Sequence, residues 1–521
     1  MNARAAHLFV LPVLSAGLGL MLAGRAPAQT LMVLHTFNAG AYDPSAIYTN
    51  SDGADPNSVL MSNNTLYGTA YYGGTNGSGR VFKLNTDGTG LTNLHTFAAD
   101  GIEIIDSYAN YTNSDGANPG GLILAGNTLY GTTAYGNTNG SGTVFKLNID
   151  GTGFTNIYSF SALTVPVIGT NSDGAVPVAG LIISNNTLFG TTFYGGTNGN
   201  GTVFKVNTDG TGFTNLHTFA ASTGSIPNVT NSAGAHPSCV LALSGNTLFG
   251  TTFYGGTNGN GIVFKLNTDG TGFTNLHTFA ADTGKYPDVT NSDGAHSGGP
   301  LLLSGDTLYG AAFHGGTNGN GTLFAFNTDG TGFTNLHTFA AGPGKYPNVT
   351  NSDGSSPAID FILSNNTLYG TATYGGNFGF GTVFAINIDG TGFTNLHNFP
   401  ALSGNSGIYG NGTNSDGAGP SGALVIAGNT LYGLAYEGGT NGNGTVFALG
   451  LPVPPSIGIT AAGYKIVISW PTNAASFTLQ SITNLSSGSW SNVISGITIV
   501  GTNYVFTNTM SGNASFFRLM Q

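Results

Sequence analysis

The sequence predicts an all-β fold: a seven-bladed β-propeller closed by an N-terminal strand, plus a small C-terminal β-sandwich. Three observations carry that expectation. The tetrapeptide Thr-Leu-Tyr/Phe-Gly starts at Thr65, Thr128, Thr187, Thr247, Thr307, Thr367 and Thr430, at intervals of 59 to 63 residues, which marks a repeat array. Each repeat holds four strand-like segments and no apolar period of 3.6, as a propeller blade requires. The array is truncated in complementary ways. An orphan Val33-Leu34-His35-Thr36-Phe37 precedes the first unit, and the last unit stops after Thr445-Val446-Phe447-Ala448-Leu449. A linear solenoid needs polar caps, whereas a ring pairs the orphan strand with the incomplete unit and leaves no open edge.

The unit at 180–219 shows the elements most clearly. Leu181-Ile182-Ile183 reads as a short strand buried on both faces. The second strand, Thr187 to Tyr194, is rich in β-branched and aromatic residues, and a Gly-Gly-Thr-Asn-Gly-Asn-Gly loop follows it. Third and fourth strands, at 202–206 and 214–219, are joined through Asn207-Thr208-Asp209-Gly210. Its Asp-Gly is a hairpin signal, because the turn demands positive φ.

The flanks differ from the array. Arg4, the apolar run from Leu8 and the Ala26-Pro27-Ala28 site make 1–28 a signal peptide. Its apolar run is shorter than the roughly 20 residues of a spanning helix, so the expectation is export of a chain whose propeller occupies 29–451, with no transmembrane segment in the mature protein. Pro452-Val453-Pro454-Pro455 reads as a stiff linker over 452–455. Residues 456–521 hold alternating strands near 464–470, 477–481, 504–507 and 515–519, with Trp470, Phe477, Trp490 and Phe517 for a core.

Charge narrows the partners. Only 6% of residues are charged and acids outnumber bases 22 to 11, which leaves no basic footprint for nucleic acid. At 40% hydrophobic the chain can bury a large core. Cys239 is the single cysteine. It excludes an internal disulfide framework and, within Cys-Val-Leu-Ala-Leu, reads as a buried thiol.

The run Leu-Tyr-Gly-Thr-Thr, Gly-Gly, Gly-Thr-Val-Phe-Lys-Leu, Asp-Gly, Leu-His-Thr-Phe and Asp-Gly-Ala-x-Pro resembles the GloVer tandem repeat of secreted bacterial proteins, up to about Leu451. That resemblance implies a propeller-like repeat protein with varied C-terminal anchors and no established biochemical activity, and it transfers no catalytic residue. Ser469-Trp470-Pro471, Leu479-Gln480, Asn484-Leu485 and Phe516-Phe517-Arg518-Leu519 resemble fibronectin- or immunoglobulin-like C-terminal modules, which implies an attachment, sorting or capping role.

Several residue series invite chemistry. Six fourth strands carry His35, His95, His217, His277, His337 and His397, with Tyr158 in the other. They are too far apart around a rim to share a metal whose ligands sit near 2 Å, so the expectation is packing with a hydrogen bond to the neighbouring blade. Asp87, Asp150, Asp209, Asp269, Asp329 and Asp389 precede Gly in the hairpins and belong to tight turns. The Asn-Ser-Asp-Gly series Asp52, Asp115, Asp173, Asp293, Asp353 and Asp416, with Ala233 in one copy, is a fragment of a calcium loop without the remaining acidic ligands. It reads as an Asx-turn, with no metal site and no cofactor.

No nucleophile elbow, His-Glu-x-x-His or phosphate loop is present in the sequence, and no catalytic residue is assigned. The candidate ligand site lies where second strands end before Gly-Gly or its variant: Tyr72, Tyr135, Tyr194, Tyr254, His314, Tyr374 and Glu437. Chain direction places these on the face of the inter-blade loops, and aromatics with a polar tip suit a sugar. Three readings stay open for an exported monomer: a binding module for an extracellular glycan or surface protein, a structural or adhesive scaffold, and a carbohydrate-active hydrolase or lyase. Binding expects broken symmetry to cluster on one face, a scaffold expects it to scatter, and an enzyme expects a carboxylate pair.

Overall fold

The computed structural model describes residues 30–520 apart from 43–47, 106–107, 166–168, 225, 227–228, 286–287, 345–346, 348, 359, 405–411, 452–456, 463, 473–476, 484–489 and 510–514. The expected signal peptide, the Pro-rich linker and Asn484-Leu485 lie outside the described residues. Two compact units divide the chain, one spanning Leu31–Leu449 and the other holding Gly450–Gln521.

Within the first unit, seven antiparallel sheets like propeller blades follow one another, each with a four-stranded path. Sheet I is Ala54–Ser62, Thr65–Tyr72, Arg80–Asn85 and Thr92–Thr96. Sheet II is Ala117–Ala125, Thr128–Tyr135, Thr143–Asn148 and Thr155–Ser159. Sheets III, IV and V have second strands Thr187–Thr192, Thr247–Thr251 and Thr307–Ala312. In sheet VI, Thr367–Tyr374 pairs with both Ser355–Pro357 and Ile362–Ser364. Sheet VII joins Ala418–Ala427, Thr430–Glu437 and Thr445–Gly450 to Leu31–Thr36, the strand from the other end of the chain. Leu31 pairs with Leu449 and Thr36 with Thr445.

Local chemistry explains these elements. In the hairpins Asp87 Oδ1 accepts from the Thr89 N–H at 2.9 Å and from its hydroxyl at 2.7 Å, and the other five Asp-Gly copies repeat this. Those bonds hold the Asp87 carboxyl below its usual range. A register shift recurs where third and fourth strands pair, as between Val203 and Phe204; such bulges add twist.

The core lies between consecutive sheets. Phe37, Phe97, Phe160, Phe219, Phe279, Phe339 and Phe399 end the fourth strands fully buried. Each of His95, Tyr158, His217, His277 and His337 stacks on a phenylalanine of the next sheet's hairpin, with centroids 3.6–3.9 Å apart. Packing is equally continuous from sheet VII to sheet I, where Phe37, Leu434 and Val446 share a cluster with Val59, Leu66 and Phe82.

One expectation needs correction. The first strand of sheet III is Ile182–Ser184 and half-buried, with only Leu181 beside it buried; its outer face is not covered as a strand buried on both faces would be. The inter-sheet loops also form ribbons of their own, such as Gly101–Ile105 with Tyr108–Thr112 and Thr283–Lys285 with Asp288–Thr290. Cys239 is buried and free, and burial pushes its thiol up.

The second unit has two sheets. Gly458–Ala462, Lys465–Pro471, Asn503–Thr509 and Ile497–Val500 form one, and Ser491–Asn492, Thr478–Ile482 and Phe516–Met520 the other. Ile466, Ile468, Trp470 and Leu479 share one core that draws on both sheets. Among the described residues, no helix is long and apolar enough to cross a membrane.

Candidate ligand-binding face

The Asn-Ser-Asp-Gly loops build this face, and each residue of the motif has a visible task. Asn50 Oδ1 accepts from Gly53 N at 2.8 Å within its own loop and from Gly74 N at 2.9 Å in the Gly-Gly loop. The inter-sheet loop and the loop between second and third strands are therefore neighbours, as chain direction required. Six copies make the bond to the Gly-Gly loop or its variant.

The Asp faces the preceding fourth strand. His35 Nε2 donates to Asp52 Oδ2 at 2.9 Å and Asn38 N to Oδ1 at 2.9 Å. His95 with Asp115, His277 with Asp293 and His337 with Asp353 repeat the pair, and His397 lies 3.1 Å from Asp416. In the copy with tyrosine, the Tyr158 hydroxyl donates to Asp173 at 2.7 Å. Where Ala233 replaces Asp, His217 Nε2 is buried without a hydrogen-bond partner, and burial holds its imidazole down at about 4. The two series met separately in the sequence are thus halves of one contact. Among the described residues, no group of three or more His, Cys, Asp or Glu is placed to hold a metal ion.

Two residues beyond each Gly comes a position the sequence reading passed over: Asp55, Asn118, Val176, His236, His296, Ser356 and Gly419. All seven have φ between +52° and +60°, a conformation rare for side chains and most so for β-branched Val176. A shared tie explains it. The N–H of each donates to a carbonyl in the preceding sheet's loop between second and third strands, as His236 to Asn200 at 2.9 Å and Asp55 to Asn443 at 3.3 Å. Positive φ at non-glycine positions is the signal that could have found them, and it exists only in three dimensions.

The seven predicted site residues all lie at one register opposite the residue preceding this strained position. Ala54 pairs with Tyr72, Ala117 with Tyr135, Ser355 with Tyr374 and Ala418 with Glu437; Ala175, Ala235 and Ala295 bridge Tyr194, Tyr254 and His314. They do not form one exposed surface. Tyr254 and His314 are only 7% and 1% exposed, because His236 and His296 roof them: Tyr194, His236, Tyr254, His296 and His314 touch in succession at 5.2–5.8 Å. Burial holds His314 down at about 4, and burial with the nearby His314 holds His296 at about 3. This arc is packing, which corrects the expectation of a stacking surface at Tyr254 and His314.

Tyr72, Tyr135, Tyr194, Tyr374 and Glu437 remain half-buried. Further departures from the repeat lie on sheets VI, VII and I. Gly419 is the one strained position without a side chain, and a Cβ there would collide with the Tyr436 ring. Tyr436 donates its hydroxyl to Tyr374 Oη at 3.2 Å. Enclosure, and after it the charge of Glu437, push the Asp55 carboxyl up to about 8. Phe378, 50% exposed, stands where sheet III has Asn198, whose amide caps the Phe219 carbonyl at 2.9 Å.

Repeated four-stranded antiparallel sheets with an irregular loop face define a β-propeller-like tandem-repeat protein. The chain belongs to the Gloeobacter/Verrucomicrobia repeat family, whose profile matches residues 24–230, 161–287 and 227–411. No curated protein matches it. Among solved structures it is similar to the computationally designed protein Ika8 at 12% identity and a TM-score of 0.40, covering 77% of this chain and 98% of that one. It is similar to an oligogalacturonate lyase in complex with manganese at 10% identity and 0.40, covering 82% and 98%. A puromycin-hydrolyzing peptidase of Mycobacterium tuberculosis aligns at 10% identity and 0.44, covering 84% of this chain and 61% of that chain.

Proposed function

We propose that Leu31–Leu449 closes as a seven-bladed ring and that its loop face binds an extracellular polar ligand such as a glycan, without catalysis. Export by residues 1–28 belongs to the same reading, as does a fibronectin- or immunoglobulin-like role for the C-terminal unit in attachment or capping. Ring closure draws support from the pairing of Leu31–Thr36 with Thr445–Gly450 and from the Asp55 to Asn443 bond.

Clustering of broken symmetry on one face is the observation that carries the binding reading. The hairpin side keeps one Asp-Thr geometry in six copies, while the loop side varies at the strained position and at the two residues ending each second strand. A scaffold had no reason to segregate the variation in this way. A glycan array probed with the secreted chain, with and without calcium, tests it. Tyr72→Ala combined with Glu437→Gln should weaken the ligand found by about tenfold or more, with the melting temperature little changed. An array without binders, or a ligand mapped to the Asp-Gly hairpins, would overturn the reading.

One observation favours a carbohydrate-active enzyme as the second reading: burial, and after it the charge of Glu437, push the Asp55 carboxyl up. A carboxylic acid kept protonated is what general-acid chemistry on a glycosidic bond uses. Release of new reducing ends from the bound glycan, lost in Asp55→Asn, would select it over simple binding.

A further inference from the structure

The geometry points to a carboxylate-binding site at the corner between the fourth strand of sheet III, Thr214–Thr218, and the loop that leads into sheet IV. There His217 Nε2 and the Ala220 N–H together receive a carboxylate from outside the chain, in the place that an Asp side chain fills in the other copies. The assignment stands apart from the glycan reading and does not rest on it.

The regular corners show what the site holds. At His35, His95, His277 and His337 one Asp carboxylate accepts from the imidazole Nε2 with Oδ2 and, with Oδ1, from the backbone N–H three residues beyond that histidine, all at 2.8–3.0 Å. Both donors persist beside Ala233. His217 keeps the ring position of its counterparts: it stacks on Phe273 at 3.8 Å and meets Phe219 edge-on at 4.9 Å, against 3.9 Å and 5.1 Å for the rings around His277. Asn231 Nδ2 still donates to Ala220 O and Gly234 O, each at 3.0 Å, as Asn291 does to Ala280 O at 3.1 Å and Gly294 O at 2.8 Å. What this corner lacks is the acceptor. His217 Nε2 is buried, and neither it nor the Ala220 N–H has a hydrogen-bond partner among the described residues.

The replaced side chain defines the ligand. Alanine in place of aspartate removes one carboxylate group and keeps the Cβ, so the group that completes the corner is a planar anion with two oxygens. Chloride offers no second oxygen, and a tetrahedral anion is bulkier than the group removed. A buried donor without an acceptor is costly, and hydrogen bonds to an ionised acceptor are the stronger kind, so a carboxylate removes the cost at both donors together. The corner is open to solvent: His217 and Ala233 are half-buried and Ser232 is exposed. A free formate and the carboxylate of a sugar acid present the same chemistry to it.

The test follows the histidine imidazoles of the full chain by proton–nitrogen NMR, with His217 assigned from its loss in His217→Phe. Sodium formate, sodium glucuronate and sodium chloride are added at equal ionic strength, with glucose as the neutral control. Formate should move the His217 signal saturably with a Kd of about 1 mM, and at about a hundredfold excess over Kd should raise the melting temperature by about 2 °C over chloride. Both responses should vanish in Ala233→Asp, whose own carboxylate fills the corner. Formate affinity should fall about tenfold in Ala220→Pro, which removes the N–H as Pro400 does three residues beyond His397. Glucuronate binding as tightly as formate or tighter, with glucose inert, assigns the site to a sugar acid; formate binding alone assigns it to a free small carboxylate. A His217 signal that no carboxylate moves, or that moves equally in Ala233→Asp, overturns the assignment and leaves water as the acceptor.

Discussion

His217 is the residue whose defect can be measured and repaired. Its six counterparts lie 2.7–3.1 Å from an Asp carboxylate, whereas its own Nε2 is buried unpaired beside Ala233. The same copy lacks the Asn bond to its Gly-Gly loop that the other six make. Ala233→Asp should add about 1 kcal/mol of stability. The pH dependence has a defined sign. Burial depresses His217 from 6.5 to about 4 in the folded chain, so between those values the unfolded chain binds a proton that the folded chain excludes. The folded state thus loses stability as pH falls from 6.5 through about 4, and Ala233→Asp should remove this loss by raising the imidazole. Thermal melts across that range, with the His217 titration followed by NMR, check it; an unchanged titration with no gain in melting temperature contradicts the pairing. Both halves of the His-Asp contact were legible in the sequence as separate series. Their meeting was not, since 15 to 20 residues of variable loop separate them, and only the exceptions at Tyr158 and Ala233 hinted at a pair.

Elements divide by how much of their geometry is local. Second, third and fourth strands and the Asp-Gly hairpins could be read directly, because β-branched runs and turn residues act over a few positions. First strands and loop ribbons could not. Their form depends on the neighbouring sheet, as the lengths of nine residues for Ala54–Ser62 and three for Ile182–Ser184 show. The candidate site divides in the same way: the register of Tyr72 through Glu437 was legible, but the roof of His236 and His296 over Tyr254 and His314 was not, nor was Asp55, since all three arise from contacts across sheets. One glycine shows how tightly these elements are joined. Gly201, at φ +87°, lies where a Cβ would collide with the Thr192 carbonyl and come within 2.8 Å of Pro237 Cδ on the next sheet. Gly245, at φ +57° in a turn, has nothing within 4 Å. Gly201→Ala should therefore cost at least about 3 kcal/mol and Gly245→Ala about 1 kcal/mol, read from urea denaturation. Equal losses would show that the approach between sheets is not what Gly201 protects.

At the scale of the whole first unit, the proposed ring depends on one seam. Sheet VII borrows Leu31–Thr36 from the far end of the chain. Phe37 N donates to Gly444 O at 3.1 Å, and Asn441 Nδ2 donates to Phe37 O at 3.1 Å. The seam uses the chemistry of the regular junctions within the array: a fully buried Phe, an amide cap on its carbonyl and a His-Asp pair, here His35 with Asp52. If the ring is closed at this seam, its stability should collapse when the borrowed strand is removed, because the third strand of sheet VII becomes an open edge and the Phe37 pocket empties. The direct measurement is the melting temperature of the chain with residues 31–37 deleted. Closure predicts a drop of about 10 °C or more, with aggregation through the exposed edge; a deletion variant that melts with the intact chain and stays monomeric would contradict it.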